Sequence, residues 1–158
     1  MSESDRQKWD ARYAAGDGAA AVNQWLREMV GDLAPGRALD VACGAGANAI
    51  YLAQRGWTVC GIDISRVGLR IAAESAAQAG AKVDWQAADL EMLDLPAASF
   101  DLVTVFRYLD RDRLPEQIQQ TLTPGGTLLY ETFVESPSGT IGGHVRNPAF
   151  VLKRDELP

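Results

Sequence analysis

Between Arg37 and Val134, short apolar and β-branched runs alternate with helical stretches, and that alternation leaves few folds open. Repeated strand-helix-strand units build a parallel sheet with helices packed on its faces. The pattern predicts a helical region over Ala20–Leu33, strand one over Arg37–Ala42, a helix from Ala47 to Arg55 ended by Gly56, and strand two over Trp57–Ile62. Ser65 is placed to cap a further helix whose apolar positions Val67, Ile71 and Ala72 share a face, and Gly80 stands at its end. Strand three follows over Lys82–Gln86 and strand four over Phe100–Phe106. A helix over Leu114–Leu122 and strand five over Gly126–Val134, introduced by the Pro124-Gly125-Gly126 turn, complete the series.

The 158 residues suffice for one domain, 1–158, with a segment of 1–19 ahead of the helical region. No apolar run is long enough to span a bilayer, and the polar start Met1-Ser-Glu-Ser-Asp lacks an export signal, so a cytoplasmic protein with no membrane partner is expected. Two cysteines, Cys43 and Cys60, fall at apolar strand ends and read as reduced thiols; with one histidine, His144, they make no metal-ligand pattern. A formal charge of −6 without any basic run argues against nucleic acid and for a small-molecule partner. Arg107, Arg111 and Arg113 fall in one short segment, either as an anion-attracting cluster or as a solvated helix start.

Beyond strand five the sequence changes character. Residues 135–146 are rich in Gly, Ser and Pro and read as a flexible loop, and Asn147–Pro158 reads as the approach to another helix. Strand five would then be an apolar edge, covered by the C-terminal segment, by a second copy in a homodimer, or by sequence that a truncated chain lacks.

At the end of strand one, Gly44-Ala-Gly-Ala-Asn-Ala49 satisfies the dinucleotide fingerprint G-x-G-x-x-A, and Asp63 lies seventeen residues after Gly46. The glycines alone leave NAD open. Five landmarks in order, Leu39-Asp-Val-Ala-Cys-Gly-Ala-Gly46, Gly61-Ile-Asp-Ile-Ser65, Ala88-Asp89-Leu90, Phe100-Asp-Leu-Val103 and Leu122-Thr-Pro-Gly-Gly126, resemble the class I S-adenosylmethionine-dependent methyltransferases. Trp9-Asp-Ala-Arg-Tyr13, Asn48-Ala-Ile-Tyr-Leu52, Arg111-Asp-Arg-Leu-Pro115 and Asn147-Pro-Ala-Phe-Val-Leu-Lys153 look like their small tellurite-resistance-type branch. The resemblance implies an α/β, Rossmann-like doubly wound, mainly parallel sheet in the order 3-2-1-4-5, with the family's strands six and seven missing here.

Asp40 bears on the choice of ligand, because a carboxylate at the mouth of the turn repels a pyrophosphate and attracts the ammonium or sulfonium of S-adenosylmethionine. Gly44 and Gly46 would give the backbone room, and Asp63 would accept from the ribose hydroxyls. By resemblance, Asp89 with the Leu90 backbone faces adenine, Trp9 and Tyr13 close over the cofactor, and Phe106 touches the adenosyl group. Ala42, where the family most often has glycine, and Cys43, Asn48 and Ile64 stand in the matched motifs as further cofactor positions. On the acceptor side the candidates are Arg107, Tyr108, His144 and Arg146. The expected reaction is direct in-line methyl transfer to a small, anionic or thiol- or chalcogen-like acceptor, leaving S-adenosylhomocysteine and using no metal. A cofactor-binding module without transferase activity and an NAD-dependent oxidoreductase are the alternatives.

Overall fold

In a computed structural model, the largely apolar run Arg37–Val41 becomes β1, the central strand of a five-stranded sheet. The structure describes residues 2–18, 21–134 and 151–152. Two helices precede the sheet, α1 (Glu3–Ala14) and α2 (Gln24–Val30), the first started by a Ser2–Asp5 capping box and the second by the Asn23 side chain. Then come α3 (Ala47–Gln54), β2 (Thr58–Asp63), α4 (Arg66–Gln78), β3 (Val83–Ala87), a 3-10 turn (Leu90–Met92), β4 (Phe100–Phe106), α5 (Leu114–Thr121) and β5 (Leu122–Glu131). The order is β3-β2-β1-β4-β5 and every pair is parallel, so the doubly wound sheet expected from the sequence is present, with no antiparallel member among the described residues.

Alternation along the strands divides the core between the two faces. Leu39, Val41, Ile62, Val103 and Val105 pack with Leu90, Leu93, Leu114 and Ile118 on one side. Ala38, Val59, Leu102 and Leu129 pack with Leu26, Val30, Ala49 and Leu52 on the other. Each fully buried leucine contributes about 2 kcal/mol of transfer free energy, so the two clusters hold the strand ends in fixed register. Ser65 caps α4 by accepting the Gly68 N–H at 3.0 Å, as expected. The buried face of that helix is Gly68, Leu69, Ala72 and Ala76, one step round from the expected stripe; Val67 and Ile71 are only half-buried.

Two expectations need correction near the end. Strand five begins at Leu122, because the Pro-Gly-Gly segment is absorbed by a register shift against β4: Phe100 faces Leu122 and Leu102 already faces Thr127. An edge strand tolerates that irregularity and a proline without an N–H. Val151–Leu152, expected in the approach to another helix, is a short strand (β7) pairing in parallel with β6 (Phe133–Val134). No helix among the described residues is long and apolar enough to cross a membrane.

Candidate functional site

The strand order reverses between β1 and β4, and their carboxyl ends flank the crevice where doubly wound sheets bind ligands. Both lips carry left-handed non-glycine backbone: Ala42, just after β1, has φ 58° and Arg107, just after β4, has φ 60°. Each costs of order 1 kcal/mol that the surrounding fold must hold. A surface depression of about 570 Å³, lined by Gly56, Trp57, Gly80 and Lys82 among others, lies at the opposite, amino-terminal ends of β2 and β3.

Asp40, on β1, is 2% exposed. One oxygen accepts the Thr104 hydroxyl at 2.8 Å from the neighbouring strand, and the other, Oδ2, has no hydrogen-bond partner among the described residues. Burial pushes its carboxyl up to about 7, against the Thr104 bond and the nearby Ala49 N–H, while the charge of Asp63 pushes the same way as burial. Asp63, at the end of β2, accepts the Gly44 N–H at 2.9 Å on one oxygen and the Ser65 N–H at 2.8 Å on the other. Burial raises its pKa as well, and the bonds from Ser65 and Gly44 oppose that rise. Two buried carboxyls under a left-handed glycine turn resist ionising together, so the pocket gains its full negative charge only as a cation or donor completes it.

The aromatic side chains of this chain occupy the room left by the glycines. A Cβ on Gly44 would meet the Tyr13 hydroxyl, and one on Gly68 would lie 3.0 Å from the Tyr13 ring. Burial raises the Tyr13 phenol's pKa, and the charge of Asp63 adds to it. Gly46 starts α3 in the left-handed region (φ 83°), and its missing Cβ admits Trp85 at 2.6 Å and Ala72 at 2.8 Å. Helix-to-sheet packing therefore requires glycine at 46 in its own right, independently of the ligand approach expected from the sequence. The Cys43 sulfur lies against Gly61, and burial raises its pKa, in keeping with a packing thiol.

The other expected positions divide. Trp9 stands one turn from Tyr13 with ring centroids 6.2 Å apart, both half-buried over α4. Asp10 between them ties α1 down by accepting the Ser65 hydroxyl at 2.6 Å and the Val67 N–H at 3.2 Å. Asp89 starts the 3-10 turn by accepting the Glu91 N–H at 3.0 Å, while Leu90 and Ile64 are buried. Phe106 is half-buried, edge-on to Trp25 with centroids 6.4 Å apart. Asn48 uses its side-chain oxygen on the Asn23 N–H at 2.8 Å. Arg107 is exposed at the end of β4. Tyr108, expected to face the acceptor, is instead 5% exposed in the core cluster with Leu90 and Leu114, because the chain turns inward after Arg107; its carbonyl accepts the Tyr130 hydroxyl at 2.8 Å. Arg113 donates to the carbonyls of Glu91 and Leu93 at 3.4 and 3.3 Å, a structural clamp on the Asp89 segment. His144 and Arg146 lie outside the described residues.

Sequence reasoning missed Thr104, Asp10, Asn23 and Glu131. The first two carry a signal in hindsight: Thr104 is the one polar residue inside Leu102–Phe106, and Asp10 sits within the Trp9–Tyr13 motif.

Residues 38–126, more than half of the chain, match the family of the methyltransferase domain. Ubiquinone biosynthesis O-methyltransferase of Bordetella avium is 32% identical over 119 residues, 72% of this chain and 49% of that protein. Demethylmenaquinone methyltransferase of Thermus thermophilus is 34% identical over 128 residues, 75% of this chain and 58% of that protein. The chain thus spans about half the length of the curated relatives it matches. The structure of TehB from Haemophilus influenzae superposes with a TM-score of 0.73 over 92% of this chain and 52% of that one at 18% identity, a likeness of fold. With a parallel sheet in the order β3-β2-β1-β4-β5 and the glycine turn between two buried aspartates, the chain belongs to the class I S-adenosylmethionine-dependent methyltransferases.

Proposed function

We propose that this chain binds S-adenosylmethionine along the carboxyl ends of β3, β2 and β1 and transfers its methyl group to a small-molecule acceptor by direct in-line displacement. The observation that carries this reading is the Oδ2 of buried Asp40, which has no hydrogen-bond partner among the described residues. A buried carboxylate oxygen without a donor is costly unless a cation or donor completes it, and the amino-acid end of S-adenosylmethionine supplies an ammonium. The pyrophosphate of NAD would instead face Asp40 and Asp63 together, which disfavours the oxidoreductase reading.

The residues present fit the group. Asp63 has its two oxygens fixed by Gly44 and Ser65, and a carboxylate oxygen keeps a further lone pair for each ribose hydroxyl. Asp89, held at the start of its 3-10 turn, is the proposed adenine partner, and Tyr13 and Trp9 cover the pocket from α1. S-adenosylmethionine, when bound, supplies a methyl carbon already activated by the sulfonium. The protein's work is to orient it and to exclude water. Phe106 and Trp25 would form an apolar wall beside the transfer, and exposed Arg107 would pair with an anionic acceptor.

The similarity to the Bordetella O-methyltransferase supports a hydroxyl acceptor, with a thiol or chalcogen anion as the second candidate. Calorimetric titration with S-adenosylmethionine, S-adenosylhomocysteine and NAD tests the reading. Binding of the first two and not the third is expected; binding of NAD alone would overturn it.

A further inference from the structure

Resting on the reading above, we infer that Glu131 is the base on the acceptor side, taking the proton of a hydroxyl acceptor as its oxygen is methylated. The strand order arranges the proposed contacts in sequence across the sheet: Asp89 after β3, Asp63 on β2 and Asp40 on β1. A ligand laid from adenine to amino acid along these ends leaves its acceptor to approach over the next two strands, β4 and β5. Glu131 is the last residue of β5 and lies opposite Phe106, the last residue of β4. Neighbouring strands are about 4.8 Å apart, which places the backbone of Glu131 two strands, or roughly 10 Å, from the end of β1.

Its carboxylate is held toward the crevice rather than left to solvent. Asn23 donates its side-chain N–H to Glu131 Oε1 at 3.0 Å, and the Asn23 backbone N–H donates at 2.8 Å to Asn48, which follows the glycine turn by two residues. A single residue therefore bridges Glu131 to the first turn of α3 above β1. The backbone is pinned too, since the Arg107 N–H donates to the Glu131 carbonyl at 2.8 Å from a left-handed conformation that a relaxed strand end would not adopt. Asn23 occupies Oε1, and Oε2 accepts no hydrogen bond among the described residues. The arrangement orients one oxygen and leaves the other for a ligand.

The step balances without a further reactant. The acceptor oxygen forms its bond to the methyl carbon while the carbon–sulfur bond breaks with its electron pair staying on sulfur, and the hydroxyl proton passes to Glu131. A thiolate acceptor arrives without that proton and has no need of the carboxylate.

This difference supplies the test. Glu131→Gln keeps an oxygen for Asn23 but removes the basic carboxylate. Wild type and variant are compared at pH 8 with S-adenosylmethionine and two probes, catechol and thiophenol, the second ionised in solution. The variant is expected to lose about 100-fold or more in kcat with catechol, at least about 30-fold more than it loses with thiophenol. Its dissociation constant for S-adenosylhomocysteine, measured by calorimetry, is expected to stay within about two-fold of wild type and so to report an intact fold. Equal losses on both probes, an unaffected catechol rate, or a wild-type chain that binds S-adenosylhomocysteine yet leaves catechol unmethylated would each overturn the base. Absence of S-adenosylhomocysteine binding in wild type would instead overturn the reading beneath it.

Discussion

Thr104 donates its hydroxyl to one oxygen of Asp40 at 2.8 Å, and the other oxygen of the same buried carboxylate meets no donor among the described residues. Burial raises this group from 3.8 to about 7, so between those values the folded chain holds a proton that the unfolded chain has released. Stability should therefore fall as pH rises from about 4 to 7 and level off above, by of order a few kcal/mol. Cofactor affinity should move the opposite way, rising toward pH 7 as Asp40 ionises and gains a charge to offer the ammonium. Asp40→Asn is expected to flatten the stability profile, to exceed wild type in urea midpoint at pH 8, and to bind S-adenosylmethionine at least about ten-fold more weakly. Urea melts across pH 4 to 8 with parallel calorimetry check both halves; a variant less stable than wild type at pH 8 would contradict the burial argument.

Ala42 holds φ 58° at the first position of the glycine turn, a conformation that its methyl group disfavours by about 1–2 kcal/mol. Glycine removes that steric cost while giving the unfolded chain more freedom, so Ala42→Gly should stabilise by a net 0.5–1 kcal/mol, roughly. For a domain of this size, thermal unfolding should shift upward by about 1–4 °C. The backbone bond from Gly46 N–H to the Cys43 carbonyl at 2.9 Å closes the same turn and should be unaffected.

The parts of this molecule legible in the sequence are those whose cause is local. Phe100–Phe106 is bounded as expected because a nearly continuous apolar run, buried from Leu102 to Val105, ends where Arg107 turns into the left-handed region. Asp40 and Gly44 share one strand-to-helix turn, and Asp63 joins them from the end of the adjacent parallel strand, one strand-helix-strand unit later. Other features depend on partners far along the chain. The meaning of Gly46 depends on Trp85, and Glu131 meets Asn23 across 108 positions, a pairing that no periodicity announces. Tyr108 looked available because it follows a strand end, and only the packing of α5 and the 3-10 turn shows that it is core.

Gly46 offers a sharp check of that non-local reading. Alanine at 46 would carry both a left-handed backbone (φ 83°) and a Cβ 2.6 Å from the Trp85 ring. Strain and overpacking together should destabilise by about 3 kcal/mol. Replacing Trp85 by Phe removes the overlapping ring edge, so Gly46→Ala should cost less in that background, with a coupling of at least about 0.5 kcal/mol in a double-mutant cycle. Strict additivity in denaturant melts would show that Trp85 is not what excludes a side chain at 46.

Asp10 supports a prediction about the cover rather than the core. No residue of α1 is buried, so the helix relies on specific bonds, and Asp10 supplies two of them to the start of α4, through the Ser65 hydroxyl and the Val67 N–H. Tyr13, one turn further on, then lies over Gly44 and Gly68. Asp10→Ala should release α1: amide exchange across Glu3–Ala14 should lose protection while β1 and β4 keep theirs, and the S-adenosylmethionine dissociation constant should rise by about ten-fold. Asp10→Asn keeps an acceptor for Ser65 and should recover much of the affinity. Burial raises the Asp10 pKa, but the bonds from Ser65 and Val67 and the Arg6 guanidinium outweigh it and hold the group below its usual value. For a depressed carboxyl the stabilisation is present above the ordinary pKa and is lost as pH falls through the lowered one. Exchange measured from pH 7 downward should therefore show α1 docked until the solution is more acidic than an ordinary aspartate requires, and loosening at neutral pH would show that Asp10 does not hold the cover.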